Sequence, residues 1–295
     1  MTQQRREGIR NDVIAAALPR ALASDDRKLF DLLTRASVAP GLRLHSELAL
    51  GFADELVRLN HPRTLSLLRE MTQTDAKPHA PEEFLLIAAA HGFGALVRMK
   101  RDVRPAWAEL KDMADDERAL VRASVAEAIG TVLVRLGNAD SFLIEAQSWM
   151  DDFFTAAVAL ETLTQKHVMA TVQDPEAMLG LLDQGVSMIE KATRASERRP
   201  GRRRLLDVLP QAVATCVAAM RGGQDWLVAR AQTRDPDLRE TFEKALGLLG
   251  RKGAHTAELE AVVNSLDTSK KPRRDPLTDV GPTRGRSKKH RGRSR

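Results

Sequence analysis

The sequence predicts an all-α protein built of stacked helix pairs, and three observations carry that expectation. Four Ala-x-Gly triplets recur along the chain: Ala49-Leu50-Gly51, Ala90-His91-Gly92, Ala128-Ile129-Gly130 and Ala245-Leu246-Gly247. Their glycines are 41, 38 and 117 residues apart, the last being three steps of 39. Eight residues before three of these glycines an arginine follows an aliphatic residue, in Leu42-Arg43, Val121-Arg122 and Leu238-Arg239; Phe84 takes that place in the second repeat. The third observation is compositional. Ala and Leu dominate, Tyr is absent and aromatics make up 4% of the 295 residues, which favours helix and leaves little from which to build strands. Helix content with a period of this length is the signature of a helix-pair solenoid.

Glycine inside a helix costs about 0.5–1 kcal/mol relative to Ala. Glycines recurring at one phase therefore predict close approach of neighbouring helices. The elements follow in order. Residues 11–23 and 25–36 form a first pair, with Ser24 placed to cap the second helix. Residues 42–59 make the next helix, and Pro62 can open its successor. After the two prolines of residues 74–81 a helix runs from Glu82 to Met99, and a shorter one starts near Pro105. Residues 117–136 are the clearest helix. Leu120, Val121, Ser124, Val125, Ala128, Ile129, Val132 and Leu136 give it one broad buried face.

The middle of the chain departs from the period. The stretch Asp151 to Leu160 looks like another repeat helix whose small residues come early, and Asp174-Pro175 opens a helix reaching toward Ala195. A further helix spans residues 205–220, another follows Asp235-Pro236, and a last one runs from about Thr256 to Leu266. Beyond residue 268 the Pro, Gly, Ser and Arg content offers too little apolar surface to offset ordering. The expected organisation is one repeat domain over residues 1–268 and a disordered basic tail over 269–295.

Charge is divided between the two. Residues 270–295 hold 11 Lys or Arg against Asp275 and Asp279, a formal +9; the whole chain is +6, so residues 1–269 carry −3. One basic cluster lies within the body, a loop at about 191–204 marked by Pro200-Gly201. Arg198, Arg199, Arg202, Arg203 and Arg204 in that loop are assigned to polyanion contact. So are Arg284, Arg286, Lys288, Lys289, Arg291, Arg293 and Arg295 in the tail, which resembles arginine-rich segments that bind nucleic acid without sequence preference.

The segment Asp115-Asp116-Glu117-Arg118-Ala119-Leu120-Val121-Arg122 through Gly130, with Asp235-Pro236-Asp237-Leu238-Arg239 through Gly247, resembles the HEAT repeat. That resemblance implies a right-handed superhelix with Asp and Arg ladders between repeats. By match Asp116, Arg122, Asp235 and Arg239 would serve in the ladders, a structural role. The resemblance covers about half of the body and does not fix a function.

Catalytic and metal motifs are not evident. The seven histidines show no i, i+4 pairing and Cys216 is the only cysteine, so no metal or cofactor is expected. Asp115-Asp116 and Asp151-Asp152 precede apolar helices and are expected to cap them. The single cysteine, the lack of a long apolar segment and the charged start predict a cytoplasmic protein without membrane contact. The expected function is that of a non-catalytic scaffold for a protein partner. The alternative is a DNA-binding or alkylation-repair protein, because some glycosylases of that class are built of HEAT-like repeats. Trp107 with Asp112, Trp149 with Asp151 or Asp152, and Trp226 with Asp225 are its comparable groupings.

Overall fold

In the computed structural model the described residues are 3–36, 44–196, 198–251 and 261–262. Among them the chain is all-helical, with fourteen α-helices, two short 3-10 turns and no strand. The tail, Arg43 and most of the expected helix at 256–266 lie outside the described residues.

The helices fall into two rows that alternate along the chain. The first row comprises α1 (Gln3–Ala23), α3 (Leu44–Leu59), α5 (Glu83–Arg98), α7 (Ala119–Leu136), α9 (Phe153–Leu163), α12 (Pro200–Ala219) and α14 (Pro236–Arg251), each packed on the next. The second row holds α2 (Arg27–Ala36), α4 (Thr64–Thr72), α6 (Val103–Ala114), α8 (Asp140–Ala146) with the 3-10 turn Gln147–Asp151, α11 (Pro175–Glu190) and α13 (Gly223–Arg230). The short α10 (Lys166–Met169) follows α9. The departure from strict period at mid-chain is thereby explained. There the second-row element is broken into α8 and a 3-10 turn, and α10 is inserted between α9 and α11.

Helix ends follow local chemistry. Asp152 caps α9 by accepting the Phe154 amide at 2.8 Å, and Asp174 caps α11 by accepting the Ala177 amide at 2.9 Å. Asp235 accepts the amides of Asp237 and Leu238 at the start of α14. Ser24 does not cap α2; its own amide bonds the Arg20 carbonyl and α2 starts three residues later, at Arg27. Pro200-Gly201 open α12 rather than breaking the chain, because a proline at the first helical position forfeits only an amide that is unpaired anyway. At their C-terminal ends α3, α5 and α7 give way to Asn60, Lys100 and Gly137, all left-handed, with φ 45°, 55° and 66°.

Side-chain bonds tie successive second-row elements together. Arg69 of α4 donates to Glu109 of α6 at 2.6 Å, 40 residues on, and Lys111 of α6 reaches Asp151 at 2.9 Å, also 40 residues on. Gln184 of α11 bonds Gln147, 37 residues earlier. Trp226 of α13 donates to Asp183 of α11 at 3.1 Å, 43 residues earlier, and Arg230 pairs with the same carboxylate. These separations are close to the 38 and 41 residues between the first three glycine triplets.

The glycines serve different neighbours. A Cβ on Gly92 would collide with Leu68 of α4, and one on Gly130 with the Gln165 side chain. At Gly94, two residues past the expected position, a Cβ would lie 3.2 Å from Val132 and 3.4 Å from the Ala128 carbonyl. Gly247 has no described atom within 4 Å of such a Cβ.

One ion pair ties α12 to α14. Arg202 is 6% exposed and donates to Asp237 at 2.7 Å. Asp237→Ala would leave a buried guanidinium without its carboxylate. Because Asp237 is itself 44% exposed, the expected loss is about 2 kcal/mol, below the range for a fully buried pair. Urea denaturation monitored by circular dichroism measures it. An unchanged midpoint would mean that Arg202 finds water or another acceptor.

Candidate functional site

Helix α5 is buried from Glu83 to Val97, on every face, as expected of a helix apolar all round. What covers it on one side is side chains of α3 and α7, which meet across it. Ser46 of α3 donates to Glu127 of α7 at 2.7 Å. At the other end Asp54 of α3 accepts from Arg135 of α7 at 2.7 Å and from Arg98 of α5 at 2.8 Å, both on the same carboxylate oxygen. Between these bridges lies a shallow depression of about 20 Å³, room for about one water, floored by Ala53, Gly94, Ala95 and Ala128 and rimmed by Asp54, Arg98, Thr131 and Arg135. The small residues keep it open; the rim is charged.

His91 lies in the wall of this depression. It is 3% exposed, and its Nε2 is buried without a hydrogen-bond partner among the described residues. Burial pushes its pKa from 6.5 down to about 4, so the imidazole is neutral near pH 7. Glu127 stands 3.9 Å from Nε2, too far for a hydrogen bond. The carboxylate is also partly solvated, so burial prevails over its attraction.

The residues assigned to the repeat ladder lie at the other edge, by the N-terminal ends of first-row helices. Arg122 donates to the Asp116 carbonyl, six residues earlier, and Arg239 donates to the Thr233 carbonyl at 3.1 Å, likewise six residues earlier. The shared arrangement therefore locks each arginine to its own inter-helix turn. Arg122 also lies over the Phe154 ring of α9, 4.1 Å from its centroid. Burial and the nearby Arg204 hold its pKa below the usual arginine value. Burial opposes the charge of Asp116, but hydrogen bonds from Arg118 outweigh it and hold this carboxyl below the usual range. Arg118 itself reaches back to the Ala76 carbonyl at 2.9 Å, 42 residues earlier. Asp115 is pushed up, first by burial and then by Asp152 beside it.

The basic cluster divides in two. Arg202 pairs with Asp237 and Arg204 with Glu161 of α9. Arg198, Arg199 and Arg203 are exposed and pair with no acid among the described residues. The tail residues Arg284 to Arg295 lie outside the described part.

The tryptophans are packed between helices. Trp107 stacks on Phe142 at 5.3 Å, and Phe142 meets Trp149 edge-on at 5.4 Å, inside the second row. Trp226 bonds Asp183 of the neighbouring helix. The buried thiol of Cys216 is pushed up to about 12, which leaves it protonated and inert. No group of three or more His, Cys, Asp or Glu among the described residues is placed to hold a metal, and no described helix is long and apolar enough to cross a membrane.

Asp54, Arg98 and Arg135 belong to none of the motifs above, yet the sequence carries a signal for the arginines. Leu56-Val57-Arg58-Leu59-Asn60, Leu96-Val97-Arg98-Met99-Lys100 and Leu133-Val134-Arg135-Leu136-Gly137 are one pattern repeated at 40 and 37 residues, each ending on the left-handed residue that closes its helix. It aligns three arginines on the C-terminal ends of α3, α5 and α7. No protein-family model matches the chain, and neither a curated protein nor a solved structure matches it.

Proposed function

We propose that the chain is a HEAT-like solenoid, its two rows winding as a right-handed superhelix, and that it works as a non-catalytic scaffold for a protein partner. The observation that carries this reading is the bridged depression across α3, α5 and α7, where charged side chains from three successive repeats converge over small residues. A surface assembled from neighbouring repeats is how stacked helix pairs bind. The placement of Trp107 and Trp149 in the core supports the scaffold over the repair alternative, which needs aromatics facing the groove. Thr131, partly exposed on the rim, gives the test. Affinity capture with the full chain and with Thr131→Trp, each with and without nuclease, should retain a partner after nuclease treatment and lose it with the bulky substitution. Retention that vanishes with nuclease and ignores Thr131→Trp would put the nucleic-acid reading ahead.

The basic residues support a second, weaker contact with nucleic acid or another polyanion. Arg198, Arg199 and Arg203 face solvent and pair with no acid among the described residues, and the tail carries a formal +9. Each phosphate contact adds about −0.7 to −0.9 to the slope of log affinity against log salt. Full-length protein should bind DNA or RNA without sequence preference and with a steep loss between low and physiological salt. Truncation after Asp267 should remove most of that affinity. A salt titration by fluorescence anisotropy on both forms checks it, and equal binding of duplex DNA by the truncated body would place the nucleic-acid site on the helical body instead.

A further inference from the structure

The chain offers an unpaired base nothing aromatic to stack on. Its aromatic side chains are eight Phe and three Trp, with no Tyr. All of them lie among the described residues, and none is exposed. Residues 269–295 contain no aromatic at all. Proteins that grip single strands add aromatic platforms to a basic track; here only the charge is present. Five of the seven residues from Arg198 to Arg204 are arginines. Arg202 is taken by Asp237 and Arg204 by Glu161. Arg198, Arg199 and Arg203 are exposed, and their side chains make no ion pair or hydrogen bond with a described residue. The surrounding acids do not cancel the cluster. Residues 191–204 carry seven basic side chains against Glu197. Adding Glu161, Asp237 and Asp207, the last one turn along α12, leaves an excess of three. Glu190, just before the segment, is engaged by Arg230.

We infer that the nucleic acid this chain contacts is a duplex, and that Arg198, Arg199 and Arg203 at the start of α12 are its landing point on the helical body, through phosphates alone. Charge density decides between duplex and single strand once aromatic stacking is absent. A duplex carries one negative charge per about 1.7 Å of its axis and a lone strand one per about 3.4 Å, and each contact with the duplex releases more counterion. Three unpaired arginines crowded into six residues gain most from the denser array. Their planar forks suit phosphate oxygens. Contacts confined to phosphates position the duplex and read no sequence. This inference rests on the polyanion contact proposed above and names its partner.

The test uses the full chain with a fluorescein-labelled DNA duplex of mixed sequence, one of its strands chosen free of self-pairing, and polyglutamate as an unlabelled competitor. Anisotropy at low salt should show the duplex bound about fivefold or more tightly than the strand. Arg198→Gln, Arg199→Gln and Arg203→Gln together should weaken duplex binding about tenfold or more. The slope of log affinity against log salt should become shallower by about 2 to 3, three contacts at about 0.9 each. A control combining Arg35→Gln, Lys77→Gln and Arg104→Gln removes the same charge from exposed positions elsewhere and should leave the slope unchanged. All six positions are exposed, so circular dichroism should report intact helix in both variants. A strand bound as tightly as the duplex would overturn the inference. Equal losses in the two variants would also overturn it, by making the contact a matter of net charge and not of place. So would displacement of the duplex by polyglutamate at equal total charge. In each of these cases duplex binding by the wild type leaves the polyanion reading standing. Failure of the wild type to bind either nucleic acid at low salt would bring down that reading, and the duplex with it.

Discussion

Gly130→Leu is expected to lower the unfolding free energy by about 2–3 kcal/mol. Gly130 is buried in the middle of α7, and the Gln165 side chain lies directly over it. That side chain donates from Nε2 to the Ala126 carbonyl at 3.1 Å, pinning the start of α10 to a helix 39 residues earlier. Any Cβ at position 130 would displace the Gln165 amide, so leucine must either push the turn away or break the bond. Overpacking of this kind costs about 1–3 kcal/mol, and an amide left without its acceptor adds about 1 kcal/mol. The better helix propensity of leucine returns roughly 1 kcal/mol. Gly247→Ala provides the contrast. It has no neighbour to strike among the described residues, so the same propensity gain should appear as stabilisation of about 0.5–1 kcal/mol. Urea denaturation of both variants measures the two signs. A neutral Gly130→Leu would show that the Gln165 contact carries no weight.

That contrast shows how far the repeat was legible. The first three triplets stand 38 and 41 residues apart, and bonds between second-row elements span a similar 37 to 43 residues. They did not reveal what each glycine accommodates, because the neighbour comes from another repeat with its own side chain: Leu68 at Gly92, Gln165 at Gly130. Asp-Pro placed the starts of α11 and α14 correctly, since capping is local chemistry. The short helices α8 and α13 left no comparable mark. Ile144, the most exposed large apolar side chain among the described residues, blurs the apolar face of α8.

The site was harder to read for a related reason. Arg98 and Arg135 recur in register with Arg58, and the Leu-Val-Arg pattern could have flagged them. Asp54 belongs to no motif. It matters because α3 and α7 meet across α5, so that residues 81 apart share a bond. A spacing in sequence announces contacts between neighbouring elements, whereas a contact between α3 and α7 across α5 depends on how three helices pack and is written in no single spacing. Arg122 and Arg239 teach the converse. Both donate to a carbonyl six residues earlier, in the turn before their own helix, a local contact that the common phase reflects.

His91 should make the fold acid-labile before the bulk of its carboxylates titrate. Its pKa is pushed down from 6.5 to about 4 by burial, while the unfolded chain keeps the ordinary value. Above about pH 6.5 the imidazole is neutral in both states and contributes nothing to pH dependence. Below that, the unfolded chain takes up a proton that the folded protein refuses, and stability falls until about pH 4. A displacement of this size corresponds to about 3 kcal/mol accumulated across the window. The groups beside the imidazole do not reverse the sign. Glu127 is at 3.9 Å and partly solvated, and its carboxylate already accepts from Ser46. His91→Leu isolates the effect, because carboxylate titration elsewhere is common to both proteins. At pH 8 the variant should match the wild type or exceed it by up to about 1 kcal/mol, since an unpaired buried polar atom is removed. Between pH 6.5 and 4 the difference in unfolding free energy should widen steadily in favour of the variant. Parallel pH profiles would mean that the imidazole is already hydrated or paired in the folded protein, and the depression over α5 would then be wet at its base.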